Sequence, residues 1–319
     1  MTAPKIYELA GKRIFVAGHR GMVGSAIVRH LEAVGHAVLS APRAALDLRR
    51  QERVEQWFDA HRPDVVVLAA GKVGGIGANT SQPVEFLLDN LLIEANVIGA
   101  AHKFGAEKLL FLGSSCIYPK FAAQPIQESA LLSGPLEPTN QWYAIAKIAG
   151  LKLAEAFRVE HGCDFISVMP TNLYGPGDNF EPASAHVLPA LLRRAHEAAE
   201  AGVEKLVVWG SGAPQREMMY VDDLADACVF LLERYSGASF LNVGSGEEFT
   251  IADLARKAAA VAGFTGDIAF DTTKPDGTPR KRLDTSALAA LGWRPRTPFD
   301  EGLARTYAWF RANRATLRA

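Results

Sequence analysis

An α/β fold, a doubly wound parallel sheet with a smaller C-terminal lobe, is predicted by three features of this 319-residue sequence. Short β-branched runs alternate with longer segments of helical periodicity through the first half. A glycine-spaced turn in VAGHRGMVGSAIVRHL stands directly between the first such run and the first helix. Beyond Thr171 the pattern breaks into short elements carrying scattered proline, glycine, histidine and arginine.

Taken in order, RIFVAG is the first strand, and the helix after it covers Ser25 to Val34. HAVLS is the second strand, DVVVLAA a third or fourth, and KLLFLGSS the next. Between the last two, FLLDNLLIEANVIGAAHKFG has helical periodicity and ends at Gly105, a C-cap candidate. A long helix is expected over Gln141 to His161, followed by the strand FISVMP. The later stretches are NLYGPGDNFEP, HVLPALLRR and VVWGSGAPQREMMYVDDLADA, then the helix TIADLARKAAAVAG with Thr250 as N-cap and Asp253 in its first turn. Residues 11–171 are read as mainly a Rossmann-type dinucleotide-binding domain and 172–319 as mainly a substrate-binding lobe, with some late segments returning to the first domain. The first ten residues read as a frayed leader.

Composition narrows the class. An apolar content of 49% supports a large core, and a formal net charge of −1 gives no general attraction for nucleic acid or an anionic membrane. No N-terminal segment has the apolar length of a signal peptide or membrane span. Cys116, Cys163 and Cys228 are far apart, odd in number and without metal-ligand spacing, which fits a reducing cytoplasm and no bound metal.

Gly18, Gly21 and Gly24 allow a tight turn and close approach of a pyrophosphate to the following helix N-terminus. An NAD site usually has an acid at the end of the second strand; here none occurs before Asp47. Arg20 and Arg43 can instead face a 2′-phosphate, so NADP(H) is the expected cofactor.

Tyr143 and Lys147 in WYAIAKIAG share one helix face. The expectation is that the ammonium lowers the phenol below its ordinary value of about 10 and holds the nicotinamide ribose. Ser114, at the carboxyl end of a strand, can hydrogen-bond the carbonyl oxygen that Tyr143 protonates. Cys116 lies two residues further on and reads either as a buried inert thiol or as a base acting beside a carbonyl. His186, before a helix bearing Arg193 and Arg194, is the complementary acid. Arg194, Arg216 and the KPDGTPRKR segment suit a nucleoside diphosphate, and Trp209 either lies against a base or sugar or fills the core.

These motifs resemble the GDP-L-fucose synthase family of extended short-chain dehydrogenase/reductases. The likeness runs in order through AGHRGMVGSAI, LFLGSSCIYPK, EPTNQWYAIAKIAG, SVMPTNLYGPGDNF, HVLPALLRR, VVWGSGAPQRE and KPDGTPRK, nearly the whole chain. The resemblance implies 3,5-epimerisation and 4-reduction of GDP-4-keto-6-deoxy-D-mannose to GDP-L-fucose with NADPH. It puts Cys116 and His186 in the epimerising pair and Ser114, Tyr143 and Lys147 in the reducing set. His19, Met22 and Val23 of the glycine loop, and Pro170, Asn172, Leu173 and His186, fall at cofactor positions. Arg194, Trp209, Arg216 and Lys281 match GDP-sugar positions, with Asp276 as a further contact. A cytoplasmic homodimer is implied on the same ground. The family carries an arginine directly after the second strand, whereas here Arg43 is displaced within VLSAPRAALDL. Competing readings are a 4,6-dehydratase, whose acid pair SSCIYP lacks, an epimerase that consumes no NADPH, and a non-catalytic nucleotide-binding module.

Overall fold

The computed structural model describes residues 2–317 apart from Pro275. In the first half, β1 (Ile14–Ala17), α1 (Met22–Ala33), β2 (Val38–Leu39), α2 (Gln51–His61) and β3 (Val65–Leu68) are followed by α3 (Ile76–Ser81), α4 (Pro83–Lys103) and β4 (Lys108–Leu112). Next come α5 (Gln141–His161), β5 (Asp164–Pro170), β6 (Asn172–Tyr174), α6 (Val187–Ala201), β7 (Lys205–Trp209) and β8 (Gln215–Tyr220). The chain closes with α7 (Val221–Arg234), β9 (Leu241–Val243), β10 (Glu248–Thr250), α8 (Ile251–Ala262), β11 (Asp267–Asp271), β12 (Arg280–Lys281), α9 (Ser286–Ala290) and α10 (Phe299–Asn313).

The doubly wound sheet has six parallel strands in the order β2-β1-β3-β4-β5-β9. Its strands are mainly apolar because both faces are covered, with Lys108, Asp164, Ser167 and Asn242 as exceptions, and alternation divides their side chains between two cores. Ile14, Val16, Val65, Val67 and Leu110 pack with α1 and α7, whereas Phe15, Ala17, Val66, Leu68, Leu109 and Phe111 pack with α2, α4 and α5. The strand order reverses at β1, with β2 on one side and β3 on the other, which opens a crevice at their carboxyl ends. A third core lies among α6, α8 and α10, beside β8, which pairs with β10, β12 and β6. The chain returns to the main sheet after β8: β9 is its sixth strand, and Val221, Leu224 and Leu288 join the α1 core.

The N-terminal segment is anchored rather than frayed. Ala3 N–H donates to the Leu291 carbonyl at 2.8 Å, Ile6 N–H to that of Glu233 at 2.8 Å, and Leu9 is fully buried. Its partners are too distant in sequence for local pattern to reveal them.

β4 and β5 carry most of the candidate site at their carboxyl ends, and a charge clamp fixes their register at the opposite end. Lys108, fully buried, pairs there with Asp164 and donates to the Tyr235 carbonyl at 2.7 Å. Burial pulls the lysine below its ordinary value, and Asp164 opposes that pull. Asp164→Asn removes the counter-charge and is expected to cost about 2–4 kcal/mol of stability, discounted because the carboxylate is partly exposed. Guanidinium unfolding checks this, and an unchanged midpoint would mean that the clamp contributes nothing.

Candidate active site

At the crevice between β1 and β3 the backbone is too close for side chains. A Cβ at Gly18, whose φ is +90°, would lie 2.7 Å from Ala70 N, and one at Gly24 would lie 2.1 Å from the Gly18 carbonyl. Gly21 stands at the N-cap of α1 with no side-chain cap, and an added Cβ there would meet only the Gly18 carbonyl, at 3.5 Å. The first amides of α1 are thus left with room before them, a cradle that fits a pyrophosphate.

The adenosine end distinguishes the two nicotinamide cofactors. Asp47 is held by Arg49 at 2.8 Å, which also reaches Asp89 at 3.1 Å, and the pairing pulls the Asp47 carboxyl down to about 2. Its lone pairs are occupied, so it is a poor partner for ribose hydroxyls. Arg20 and Arg43 are exposed and carry no ion pair among the described residues. Burial and then the Arg20 charge lower the imidazole of His19 in the same turn. This balance suits an extra phosphate and therefore NADP. Met22 and Val23 open α1 and pack on the sheet; Pro170 closes β5 and Asn172 donates to the Glu217 carbonyl at 3.0 Å, with Leu173 packed on the α1 core.

The reactive groups converge from β4, α5, α6 and β12. After β4 the chain turns through Gly113, where a Cβ would strike the Met169 side chain at 2.3 Å. Ser114 caps the short helical turn Ser115–Ile117, its hydroxyl accepting from the Cys116 N–H at 3.2 Å. Cys116 is half-buried, and its sulfur lies 3.3 Å from Asn140 Nδ2 and 3.4 Å from Lys281 Nζ. Asn140 occupies the N-cap of α5, yet its side chain does not cap that helix; it points at the sulfur instead. Forgoing a cap costs about 1 kcal/mol, which is consistent with a role at the thiol.

One turn into α5, Tyr143 is buried and its hydroxyl engages Ser114. Lys147, one turn further, donates to the Leu112 carbonyl at 2.9 Å and stands 3.2 Å from Glu94 Oε1. The expected lowering of the phenol is not what the structure gives. Burial pushes it up well beyond the ordinary range, and the Cys116 and Glu94 charges add to that, with only the Ser114 hydrogen bond opposing. The physical reason is first the burial of the hydroxyl; the ammonium, turned onto Leu112 with its charge balanced by Glu94, does not offset it.

His186 caps the start of α6 without a side-chain bond to it. The preceding loop is held against the residues after β3, since Gly75 N–H donates to the Ser184 carbonyl at 2.9 Å, and a Cβ on Gly75 would lie 2.6 Å from the Ala185 carbonyl. The ring has open surface but stands in a recess walled by protein. That loss of bulk solvent, followed by the Lys281 charge, holds the imidazole below its usual value.

Arg216 on β8 is in register with Lys281 on β12, and its guanidinium donates to the Thr278 carbonyl at 2.6 Å. Burial lowers it, whereas Cys116, Glu137 and Asp276 favour its charge. Trp209 is 67% exposed at the end of β7, with the Lys274 ammonium 5.5 Å from its ring, so it is available as a stacking surface and is not a core residue. Asp276 is exposed and accepts from Ser211 N–H at 2.9 Å and from its hydroxyl at 2.7 Å, which ties down the loop beside Trp209. Pro275 of the same segment lies outside the described residues. Arg194 is half-buried on α6, and no hydrogen bond joins it to Cys116 or Lys281. Ser114, Cys116, Tyr143, Lys147, His186, Arg216 and Lys281 thus form one electrostatically connected group, while Arg194 and Trp209 stand apart from it. The sequence reading missed Asn140 and Glu94. The first was signalled by an N-cap asparagine directly before the tyrosine helix, the second by an acid within the apolar LLIEANVIG.

The profile of the NAD dependent epimerase/dehydratase family matches residues 14–244. The chain is 59% identical over 302 residues to GDP-L-fucose synthase 1 of Arabidopsis thaliana, covering 94% of each chain. It is 51% identical to GDP-L-fucose synthase of Escherichia coli, covering 97% of this chain and 100% of that one. A crystal structure of a GDP-L-fucose synthetase from Naegleria fowleri bound to NADP superposes with a TM-score of 0.90 at 30% identity, over 100% of this chain and 99% of that one.

The Lys281 charge is one of two influences depressing His186, so Lys281→Met is expected to raise the imidazole pKa without restoring it fully to the ordinary histidine value. NMR titration of the ring reads this directly. No movement would mean that Lys281 does not face His186.

Proposed function

We propose that this chain, which belongs to the NAD dependent epimerase/dehydratase family and within it to the GDP-L-fucose synthases, converts GDP-4-keto-6-deoxy-D-mannose to GDP-L-fucose with NADPH. The observation that carries the residue assignment is the Cys116 sulfur, met by Asn140 at 3.3 Å and Lys281 at 3.4 Å beside the Ser114–Tyr143 pair. A base for proton exchange and a proton donor for carbonyl reduction then share one recess.

The C4 carbonyl acidifies the hydrogens on C3 and C5, because either carbanion delocalises as an enolate. Cys116 takes the proton from one face, and His186 returns one to the other; repetition at the second carbon completes the double inversion. Ser114 and Tyr143 hydrogen-bond the developing oxyanion. NADPH, when bound, supplies the hydride that removes the ketone. Tyr143 gives its proton to the C4 oxygen, and Lys147 holds the nicotinamide ribose. Gly18, Gly21 and Gly24 cradle the pyrophosphate, and Arg20 and Arg43 face the 2′-phosphate. Arg216 and Lys281 take the substrate diphosphate, with Arg194, Trp209 and Asp276 toward its nucleoside. Residues 11–171 serve mainly the cofactor and 172–319 mainly the substrate, with the segments around α7, β9 and α9 serving the first unit.

A homodimer is part of this reading. Val84, Leu88 and Leu92 form an exposed apolar stripe on α4, and Trp142 and Ile145 extend it on α5. Two such faces packed together make a four-helix interface. The cytoplasm is the proposed compartment, where unpaired thiols persist, and neither nucleic acid nor membrane is a proposed partner.

The first test uses the substrate and NADPH in deuterated water, with NMR of the product and NADPH absorbance. GDP-L-fucose labelled at C3 and C5, matched by NADPH consumption, is expected. Exchange without oxidation would leave an epimerase; neither, with cofactor still bound, would leave a binding module or another substrate. Cys116→Ser is expected to impair exchange more than reduction, and Tyr143→Phe to cripple reduction while leaving some exchange. Leu88→Asp with Ile145→Asp is expected to yield monomer in sedimentation velocity; an unchanged dimer would refute the α4–α5 interface.

A further inference from the structure

Glu94 is a carboxylate where the packing calls for an apolar residue. It lies on α4 within LLIEANVIG and is 1% exposed. Its Oε1 is 3.2 Å from Lys147 Nζ, and beyond that ion pair neither oxygen has a well-formed hydrogen bond. Room is made for it from the opposite helix: a Cβ on Gly150 of α5 would lie 2.4 Å from Glu94 Oε2 and 2.7 Å from the Phe111 ring. Burying a carboxylate with so few donors is costly, and an apolar pair of the same shape would pack at least as well. Its presence therefore calls for a reason beyond packing.

We propose that Glu94 is a positioning residue of the reduction, the buried counter-ion that draws the Lys147 ammonium back onto Leu112 and away from the Tyr143 phenol, so that the phenol keeps the proton it must deliver. This rests on the assignment of Tyr143 as proton donor made above.

The groups facing the phenol are few. Lys147 comes from its own helix, Glu94 from α4, and Ser114 and Cys116 from the turn after β4; Lys281 and Asn140 meet Cys116 from behind. The Lys147 Nζ lies 5.8 Å from the centroid of the phenol ring. An uncompensated ammonium there would favour phenolate. With Glu94 beside it the lysine points at the Leu112 carbonyl, and the carboxylate adds to the upward push on the phenol. Burial raises Glu94 itself, and Lys147 opposes that rise. A phenolate suits alcohol oxidation, whereas carbonyl reduction needs the neutral phenol. Glu94 biases the site toward reduction.

The test uses Glu94→Gln and Glu94→Asp in the full chain. Two readouts are followed: the alkaline limb of NADPH consumption with the ketosugar, and phenolate formation by ultraviolet difference absorbance, assigned to Tyr143 by its loss in Tyr143→Phe. Reduction fails once the phenol is deprotonated, so a lower phenol pKa moves the limb to lower pH. Glu94→Gln is expected to lower both the limb and the phenolate transition by about one pH unit, tenfold in proton affinity. Glu94→Asp keeps the charge and is expected to hold both near wild type while lowering kcat. Wild-type behaviour in Glu94→Gln, or an equal shift in Glu94→Asp, would overturn the inference. Full-rate reduction by Tyr143→Phe would instead overturn the assignment of the proton donor, a separate failure.

Discussion

The contact between Lys147 and the Leu112 carbonyl, 2.9 Å long and buried, joins the two parts of the site that the chain makes separately. Leu112 ends β4 and leads into Ser114 and Cys116; Lys147 belongs to the helix that carries Tyr143. A parallel strand's last carbonyl has no ladder partner beyond the sheet edge and must find a donor. Satisfying it with the lysine docks α5 at one height against β4, and the serine–tyrosine contact follows from that height. Because the lysine is inside the core, its charge needs a counter-ion, and α4 supplies Glu94. The helix pair on the outer face of the sheet is thereby tied to the same electrostatic requirement as the reactive groups.

A second buried carboxylate organises the substrate side. Glu217 on β8 is fully buried, and its oxygens accept from Gly246 N–H at 2.7 Å and Leu283 N–H at 2.8 Å. Gly244 leaves it space, since a Cβ there would lie 2.2 Å from Oε1. The acid thus holds the turn after β9 and the end of β12 against β8. Its backbone carbonyl also takes the Asn172 side chain at 3.0 Å. Arg216, its neighbour on β8, and Lys281, two residues before Leu283, are set side by side by this knot. Segments of the main sheet and of the smaller lobe meet on a single residue, so the cations of the lobe keep a fixed distance from the thiol of the sheet.

What was legible in the sequence was local. The period of WYAIAKIAG placed Tyr143 and Lys147 on one face, and α5 spans Gln141–His161 as the spacing required. Thr250 is the expected N-cap with Asp253 in the first turn, and the two close a capping box within four residues. The glycine turn was readable in part for the same reason: Gly24 is crowded by the Gly18 carbonyl within the turn, whereas the approach of Gly18 to Ala69 and Ala70 after β3 is long-range. The electrostatics were not readable. A tyrosine–lysine pair indicates a lowered phenol until the burial of the hydroxyl and the third charge are known, and Glu94 lies 53 positions upstream of Lys147 on another helix. Trp209 could not be placed from composition, since a tryptophan on a strand is core or surface according to what packs above it. The apolar stripe of α4 hid in a helix that is apolar on nearly every side, and only its packing separates the buried positions from the open ones.

The charges also bear on how the proposed thiol–imidazole pair would come to act together. Lys281 lies against the Cys116 sulfur at 3.4 Å. The same ammonium depresses His186, which disfavours the protonated imidazole required of an acid. One cation thus touches the sulfur and depresses the imidazole. On the proposed roles, a diphosphate at Arg216 and Lys281 would change that balance, because its negative charge would offset the ammonium at the imidazole. Asn140 continues to donate to the sulfur through a neutral amide, and that contact does not depend on the state of Lys281. On the proposed roles, a nucleotide-linked sugar in the recess would favour the charged acid, and proton exchange would be confined to the substrate whose own charge completes the site.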